Sequence, residues 1–311
     1  MKKYDCIILL GPTGSGKTEL SLNLAKEVNG EIINADSMQV YKYFNIGTAK
    51  ATKNQLKEVN HHLLDFLEPT ENFTVADYKK MANEKITRII ANSKIPIIVG
   101  GTGFYIDSLI KNLSYGCSGA NLEAREKYNN ILSSKGKEYL FSILKKVDKV
   151  SANKLHVNDT KRVIRALEIY ETTKIPKSNI IKDDEESKNN KAIYPLLIGL
   201  NLNREELYEK INARVDNMIK NRLLEEAETI YNNFPDRNLQ AMQAIGYKEL
   251  FDYFEGKISL NSAIEKIKQN SRNYAKRQLT WFRKNEKIIW FNKSNMQDNE
   301  ILTTVLKIFN N

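Results

Sequence analysis

The segment CIILLGPTGSGKTELSLNLA, residues 6–25, decides the fold expected of this chain. Its first five residues are continuously apolar and end at a glycine, which is typical of a buried parallel strand. The pattern G-x-x-x-x-G-K-T follows this strand, and a helix is predicted over residues 17–28. A strand, a glycine-rich loop and a helix in this order indicate a site for phosphate groups, whereas an ordinary glycine-rich turn is the alternative.

Small residues give this loop its chemistry. Successive backbone N–H groups can turn inward and surround phosphate oxygens at the N-terminus of a helix. Lys17 adds a positive charge, and the Thr18 hydroxyl is an expected ligand of Mg²⁺. The residues expected to bind a phosphate or diphosphate are Gly11, Pro12, Thr13, Gly14, Ser15, Gly16, Lys17 and Thr18.

Strands alternate with helices in the rest of the first part of the chain. Further strands are predicted over residues 32–35, 95–99 and 193–200, and a second helix over residues 75–92. Pro195 either weakens the last of these strands or marks an edge of the sheet. The alternation predicts an α/β fold, with a P-loop NTPase-like parallel sheet and helices on both of its faces.

The length of 311 residues allows about two domains. Residues 116–190 are rich in Lys, Glu, Asn and Leu at helical spacing, which predicts an all-helical insertion domain. Residues 1–115 are expected to form the first part of the α/β core, and residues 191–311 its continuation with basic C-terminal helices. The hydrophilic residues 182–191 are expected to be a mobile connection.

Composition excludes several classes of protein. With 41% hydrophobic and 28% charged residues, the chain is expected to be globular. Cys6 and Cys117 lie outside any CxxC pattern, so neither a disulfide scaffold nor a zinc site is predicted. The N-terminal apolar run is too short for a signal peptide or membrane span, which predicts a cytosolic protein that does not associate with a membrane. The net charge of +10 favours a polyanionic partner, although solvated lysines would give the same sum.

The acidic residues do not follow the pattern expected of an NTPase, and the molecule that carries the phosphates stays open at this point. An NTPase of this class holds Mg²⁺ with an acid at the end of another strand, but the strand before Gly100 leads into glycines and a threonine. A carboxylate instead follows the second predicted strand, at Asp36. It would lie in the ligand crevice of the sheet and act as a general base or bind metal through water. A helix N-cap is the alternative.

Three other features have both a functional and a structural interpretation. The glycines of residues 100–105 permit close approach of a ligand, with Thr102 offering a hydroxyl, but they also suit a plain turn from strand to helix. His61 and His62 are adjacent and point in different directions, so structural hydrogen bonding is expected rather than metal binding. Arg162 and Arg165 lie on one face of a predicted helix.

The segment of residues 264–293 holds most of the excess positive charge. It contains nine Lys or Arg residues and two Glu residues, so its local charge is +7. Tyr274, Trp281 and Phe282 are interleaved with these cations, a composition that suits contact with a phosphate backbone and some base stacking. The alternative is a solvated helix face whose aromatic residues pack in the core.

Taken together, these segments resemble the bacterial type of the tRNA dimethylallyltransferase (tRNA isopentenyltransferase) family. The resemblance rests on GPTGSGKT at 11–18, DSMQVYK at 36–42, GTAK at 47–50, HHLLD at 61–65, GGTGFY at 100–105, NDTKRVIRALE at 158–168, QAIGYKE at 243–249 and YAKRQLTWFR at 274–283. Arg222 stands where the family often has glycine, and Ser271 where threonine is usual. The chain ends at Asn311 without the zinc finger of eukaryotic relatives.

The resemblance implies transfer of a dimethylallyl group from dimethylallyl diphosphate to N6 of adenosine 37 in tRNA, with release of diphosphate. The phosphate loop would then hold a leaving group. Lys17, Arg214 and Mg²⁺ would stabilise the charge that develops on it. The family positions also imply that the Thr13 hydroxyl reaches the bridging oxygen and that Asp36 accepts or orients the N6 proton.

Adenosine 37 is stacked in the anticodon loop and must be flipped out to react. The resemblance places tRNA contacts on Asp36, Ser37, Met38, Gln39, Thr102, Arg125, Lys161, Arg162, Val163, Ile164, Arg165, Gln243, Lys276, Arg277 and Arg283. The helical insertion would bind the anticodon stem-loop, and the enzyme is expected to be a monomer. The alternatives are a P-loop small-molecule or nucleotide kinase, which predicts ATP turnover without RNA, and a non-catalytic RNA-binding ATPase or chaperone.

Overall fold

A computed structural model of the chain describes residues 4–111, 121–180 and 193–311. The chain forms two compact units. The first combines Met1–Ile110 with Ile193–Asn311, and the second is Lys111–Ala192. The second unit therefore interrupts the first in sequence. The connection predicted at residues 182–191 lies outside the described residues, as do residues 116–120.

The first unit is built on a parallel sheet. Its strands within the described residues are β1 (Cys6–Leu10), β2 (Gly30–Asn34), β3 (His61–His62), β4 (Ile95–Gly100), β5 (Pro195–Asn201) and β6 (Ile289–Asn292). Their order across the sheet is β3-β2-β4-β1-β5-β6, and every neighbouring pair is parallel. The carboxyl ends of all these strands therefore meet at one edge, where ligands of α/β sheets bind.

Helices join the strands. Their bounds are α1 (Lys17–Glu27), α2 (Lys53–Glu58), α3 (Val75–Ala91), α4 (Gly103–Ile110), α5 (Leu122–Val147), α6 (Lys149–Lys154), α7 (Thr160–Thr173), α8 (Arg204–Lys220), α9 (Leu223–Asn233), α10 (Lys248–Phe254), α11 (Leu260–Phe282) and α12 (Asp298–Asn310). Local chemistry fixes some of the ends. Thr74, for example, begins α3 because its hydroxyl accepts the backbone N–H of Asp77 while the Asp77 carboxylate accepts the N–H of Thr74.

The central strand β1 is buried on both of its faces. Ile8 and Leu10 belong to one apolar cluster, whereas Ile7 and Leu9 belong to another on the opposite side of the sheet. Alternate residues of a strand point to opposite faces, so a continuously apolar strand needs cover on both sides. The predicted α/β fold, with a parallel sheet and helices on both of its faces, is confirmed.

Strands β5 and β6 differ from the sequence-based expectation. Strand β5 lies between β1 and β6, so the alternative that Pro195 marks an edge of the sheet is wrong. Proline is tolerated because Pro195 is the first residue of the strand, and pairing with β6 starts only at Ile198. Strand β6 itself, only four residues long, is absent from the prediction.

The described residues of the second unit form helices and no strand. Helices α5 and α7 pack together around an apolar cluster that includes Tyr128, Leu140, Leu144 and Leu167. Helix α5 is kinked at Gly136, whose φ of 80° lies in the region that favours glycine. Within the described ranges, no helix is long and apolar enough to cross a membrane.

Candidate active site

The phosphate loop lies where the sequence predicts it, between the end of β1 and the start of α1. Gly14 and Gly16 have φ values of 82° and 80°, which residues with a side chain rarely adopt. At Gly11, a Cβ atom would collide with the backbone carbonyl oxygen of Leu200 at the end of β5. The motif glycines are therefore required by the path of the chain, before any ligand is considered.

Lys17 is held by the loop itself. Its Nζ donates hydrogen bonds to the carbonyl oxygens of Gly11 and Pro12, at 2.9 and 2.7 Å. Burial, together with the nearby Arg214 cation, lowers the pKa of Lys17 to about 7, although the Asp36 carboxylate partly opposes both effects. An anion bound in the loop would restore the charge of this lysine, so Lys17 is suited to respond to a phosphate group.

A cavity of about 420 Å³ adjoins the phosphate loop within the first unit. The predicted site residues that line it are Thr13, Asp36, Ser37, Met38, Arg214, Gln243 and Arg277. Apolar side chains complete the wall, among them Ile211, Val215, Met218 and Ile267. Apolar walls with a few polar groups are typical of small-molecule sites. The structure thus brings three of the four predicted catalytic residues, Thr13, Asp36 and Arg214, to one cavity, and the fourth, Lys17, is close enough to Asp36 and Arg214 to interact with their charges.

The carboxylate of Asp36 is fixed by its own turn. Its Oδ1 accepts the backbone N–H groups of Met38 at 2.9 Å and Gln39 at 3.4 Å. The Asn34 side chain binds the backbone of Asp36 at both its N–H and its carbonyl oxygen. Residues 36–39 form no helix, so Asp36 is not a helix N-cap, although it satisfies N–H groups as a cap would. Its Oδ2 receives no hydrogen bond from the described residues and is available to a bound group.

Arg214 faces the same cavity from α8. Burial lowers its pKa, and only the Asp36 carboxylate opposes this effect. Among the described residues, no hydrogen bond or ion pair to its guanidinium is found. Two cations that repel each other, Lys17 and Arg214, therefore share a site with one carboxylate. This excess of positive charge suits a ligand with several negative charges.

Gln278 joins two of the loops that form the site. Its Oε1 accepts the backbone N–H of Thr13 at 2.8 Å, and its Nε2 donates to the carbonyl oxygen of Gly101 at 2.9 Å. The side chain is buried, and a Cβ atom at Gly101 would collide with it. Sequence reasoning missed Gln278, because its partners are 265 and 177 residues away and no local pattern points to them.

The turn after β4 serves as the connection from strand to helix, since α4 begins at Gly103. The Thr102 hydroxyl accepts the backbone N–H of Ser37 at 3.0 Å. A Cβ atom at Gly103 would collide with the Trp281 indole, whose Nε1 donates to Asp107 at 3.1 Å. Ser37 and Thr102, both predicted to contact tRNA, are therefore neighbours beside the cavity.

The remaining predicted RNA contacts of the first unit differ in their surroundings. Gln39 donates through its Nε2 to the carbonyl oxygens of Thr48 and Ala49, and Gln243 donates to that of Arg237. These two amides therefore hold loops in place. Three predicted contacts are exposed cations, Lys276, Arg277 and Arg283.

The aromatic residues of the basic segment do not share one role. Phe282 is buried in the core, which contradicts its predicted stacking on bases. Trp281 packs between Phe104, at a ring-centroid distance of 4.7 Å, and the turn at Gly103. Tyr274 lines the cavity. For Phe282 the alternative interpretation, an aromatic residue packed in the core, is confirmed.

Two predicted RNA contacts of the second unit belong to its core. Val163 and Ile164 are 1% and 6% exposed and lie in the apolar cluster of this unit. Their burial contradicts a side-chain contact with tRNA. The helical period is the physical reason, because Val163 and Ile164 fall on the apolar face of α7.

The cations around these core residues divide into two groups. Arg125 and Arg165 both bind the buried carboxylate of Glu168, at 3.1 and 2.7 Å, so their charge is partly compensated. Lys161 and Arg162 are exposed at the start of α7, where Arg162 makes one weak ion pair with Asp159. Lys161 and Arg162 are therefore better suited to contact phosphates than Arg125 and Arg165.

Two predictions concern metal ions. His61 binds the carbonyl oxygen of Val59 and His62 binds Glu31, at 2.8 and 2.6 Å, so their predicted structural hydrogen bonding is confirmed. In the part of the chain that the structure describes, no group of three or more His, Cys, Asp or Glu residues could hold a metal. The Thr18 hydroxyl has no hydrogen-bond partner among the described residues and lies in the first turn of α1.

Comparisons with known proteins identify the family of this chain. The model of the family described as IPP transferase matches residues 39–285. A tRNA dimethylallyltransferase from Acetivibrio thermocellus is 44% identical over 305 residues, which cover 98% of this chain and 97% of that protein.

Solved structures give the same result. The full-length tRNA isopentenylpyrophosphate transferase from Bacillus halodurans is 39% identical in sequence, and its crystal structure matches this chain with a TM-score of 0.72. The match covers 98% of this chain and 97% of the Bacillus chain. A eukaryotic dimethylallyltransferase described as acting on tRNA matches with a TM-score of 0.80 at 29% sequence identity. That match covers 97% of this chain and 77% of the eukaryotic chain. The resemblance inferred from the sequence is confirmed: the chain belongs to the IPP transferase family, that of the tRNA dimethylallyltransferases.

Proposed function

We propose that the chain transfers the dimethylallyl group of dimethylallyl diphosphate to N6 of adenosine 37 in tRNA and releases diphosphate. One observation carries the proposal: Thr13 of the phosphate loop, the Arg214 cation and the Asp36 carboxylate line one cavity with several apolar side chains, and the Lys17 cation interacts with both Arg214 and Asp36. The charged end suits a diphosphate, and the apolar walls suit a short branched prenyl group. A nucleophile that must lose a proton would find the Asp36 carboxylate in the same cavity.

The loop would stabilise the leaving group. As the bond between the allylic carbon and the bridging oxygen breaks, its electron pair passes to that oxygen. Lys17, Arg214 and the loop N–H groups supply positive potential where this negative charge grows. Thr13 lines the cavity and Gln278 holds its backbone, and both observations support a role for the Thr13 hydroxyl as donor to the bridging oxygen.

Asp36 would complete the reaction on the other substrate. The N6 lone pair of adenosine forms the new bond to the allylic carbon, and the N6 proton passes to Oδ2 of Asp36. The Oδ1 atom stays bound to the N–H groups of Met38 and Gln39, which keeps the carboxylate in one orientation. A positioned base of this kind contributes about 10²–10⁴-fold to the rate.

Mg²⁺ fits the residues at the phosphate loop. This ion keeps several waters and needs few protein ligands when phosphate oxygens are present. The Thr18 hydroxyl, which is without a partner among the described residues, would hold it together with the diphosphate. When bound, Mg²⁺ would neutralise part of the diphosphate charge.

Transfer RNA would bind through exposed cations beside the cavity and on the second unit. We assign this role to Lys276, Arg277 and Arg283 on the first unit, and to Lys161 and Arg162 on the second. Residues 116–190 would act as the helical domain that binds the anticodon stem-loop, and residues 1–115 and 191–311 as the catalytic core. We further propose that the enzyme acts as a monomer in the cytoplasm, where its tRNA substrate is found.

The direct test is a reaction with unmodified tRNA and labelled dimethylallyl diphosphate. We expect diphosphate release and labelled adenosine 37, both lost in Lys17→Met. A kinase would instead turn over ATP without RNA, and an RNA-binding ATPase would hydrolyse ATP when RNA is added. Either result, without label in the tRNA, would refute the proposal.

A further inference from the structure

Asn270 and Glu249 form a polar pair in the wall of the cavity that the proposed chemistry does not use. Asn270 lies on α11 and lines the cavity, whereas Glu249, in the first turn of α10, is only 3% exposed. Asn270 Nδ2 donates a hydrogen bond to Glu249 Oε1 at 2.7 Å. A buried carboxylate is costly, so its contacts are expected to serve the site that it adjoins.

The carboxylate determines which way the Asn270 amide points. An ionised carboxylate only accepts hydrogen bonds, so the NH₂ group of Asn270 must face Glu249. Its Oδ1 therefore points away from Glu249, and no described residue donates to it. Asn270 is partly exposed and lines the cavity, which makes Oδ1 a fixed acceptor for a bound molecule.

Glu249 also fixes the neighbouring part of the wall. Its Oε2 accepts the backbone N–H of Gly246 at 2.8 Å, and Gly246 lines the same cavity. Gly246 has a φ of 99°, a conformation that favours glycine. One buried carboxylate thus sets both the path of this loop and the orientation of Asn270.

The two substrates differ in what they offer to an acceptor. Dimethylallyl diphosphate has only apolar groups and acceptor oxygens once it is ionised. Adenosine carries donors, namely the second N–H of its exocyclic amine and the 2′-hydroxyl of its ribose. An acceptor left without a partner in a filled cavity would weaken binding, so Oδ1 is matched to the nucleotide.

We propose that Asn270 is a specificity-determining residue whose Oδ1 accepts a hydrogen bond from the target adenosine, with Glu249 as the positioning residue. The proposal rests on the proposed function. It predicts that Asn270 acts on the RNA substrate and has no part in binding dimethylallyl diphosphate.

The test compares kcat/KM on anticodon stem-loop RNA for wild type, Asn270→Ala and the control Asn261→Ala, an exposed asparagine on the same helix. We expect Asn270→Ala to lose about tenfold, the value of one hydrogen bond, while Kd for dimethylallyl diphosphate stays within about twofold. Asn261→Ala should match wild type. An unchanged kcat/KM in Asn270→Ala, or an equal loss of diphosphate affinity, would overturn the proposal.

RNA with 2′-deoxyadenosine 37 identifies the donor. If Oδ1 binds the ribose, this RNA reacts about tenfold more slowly with wild type, and Asn270→Ala causes no further loss. If it binds the amine, Asn270→Ala loses the same factor on both RNAs. Glu249→Gln can keep an oxygen for the Gly246 N–H while its NH₂ group faces Asn270, so only the orientation of Asn270 should change. This variant should lower kcat/KM in wild type but not in the Asn270→Ala background, and an additive loss would refute the positioning role. A wild type that labels no adenosine would instead refute the proposed function.

Discussion

Binding of dimethylallyl diphosphate should take up a proton at Lys17. Burial and the Arg214 cation lower the pKa of this lysine to about 7 in the free protein. At about pH 8, roughly nine-tenths of Lys17 would then be neutral. The bound diphosphate favours the charged form, so binding should take up about 0.9 proton at this pH and almost none well below pH 7. Above about pH 7, affinity should fall by up to about tenfold for each pH unit.

Isothermal titration calorimetry in two buffers with different ionisation enthalpies measures this uptake. The work is best done between about pH 7.5 and 9, where the diphosphate itself is already ionised. Lys17→Met should abolish the uptake. Arg214→Met should reduce it, because loss of the neighbouring cation raises the pKa of Lys17. No uptake in wild type at about pH 8, or the same uptake in Lys17→Met, would refute the account of this lysine.

Two further predictions concern helix α11. Gln278→Met removes two hydrogen bonds of a buried side chain, so it should lower the free energy of unfolding by about 2–4 kcal/mol and slow prenyl transfer. Gln269→Met, an exposed control, should stay within about 0.5 kcal/mol of wild type in chemical denaturation. Unchanged stability in Gln278→Met would contradict the bridge between Thr13 and Gly101. The double change Lys276→Ala, Arg277→Ala should raise KM for tRNA, and the slope of the logarithm of the tRNA binding constant against the logarithm of the salt concentration should flatten by about 1–2. The melting temperature should stay unchanged, because both residues are exposed. An early-melting variant with an unchanged salt slope would rule out this RNA contact.

Local sequence patterns were enough to predict the phosphate loop and the place of Asp36. The loop needs its glycines for the path of the backbone, and a carboxyl end of a parallel strand always faces the same edge of the sheet. Strand β6 was beyond such patterns, because four residues after a long helix carry too little periodicity. Gln278 was also hidden, since it acts through partners far away in the chain.

Arg214 and the pair Val163 and Ile164 show opposite limits of sequence reasoning. By its sequence context Arg214 is a surface cation on a helix, and only the resemblance singled it out; the structure places it in the cavity. For Val163 and Ile164 the resemblance implies RNA contact as part of residues 161–165, yet these two side chains belong to the apolar face of α7. Motif membership does not distinguish side chains that face solvent from those that form the core.

The most direct test of the central claim is the single-turnover rate of Asp36→Asn with tRNA and dimethylallyl diphosphate. Asparagine keeps an oxygen for the N–H groups of Met38 and Gln39 but cannot take a proton from N6. We predict a loss of about 10²–10⁴-fold in the rate of label transfer to adenosine 37, with tRNA affinity within a few-fold of wild type. A loss below about fivefold would contradict the role of Asp36 as the base in this cavity.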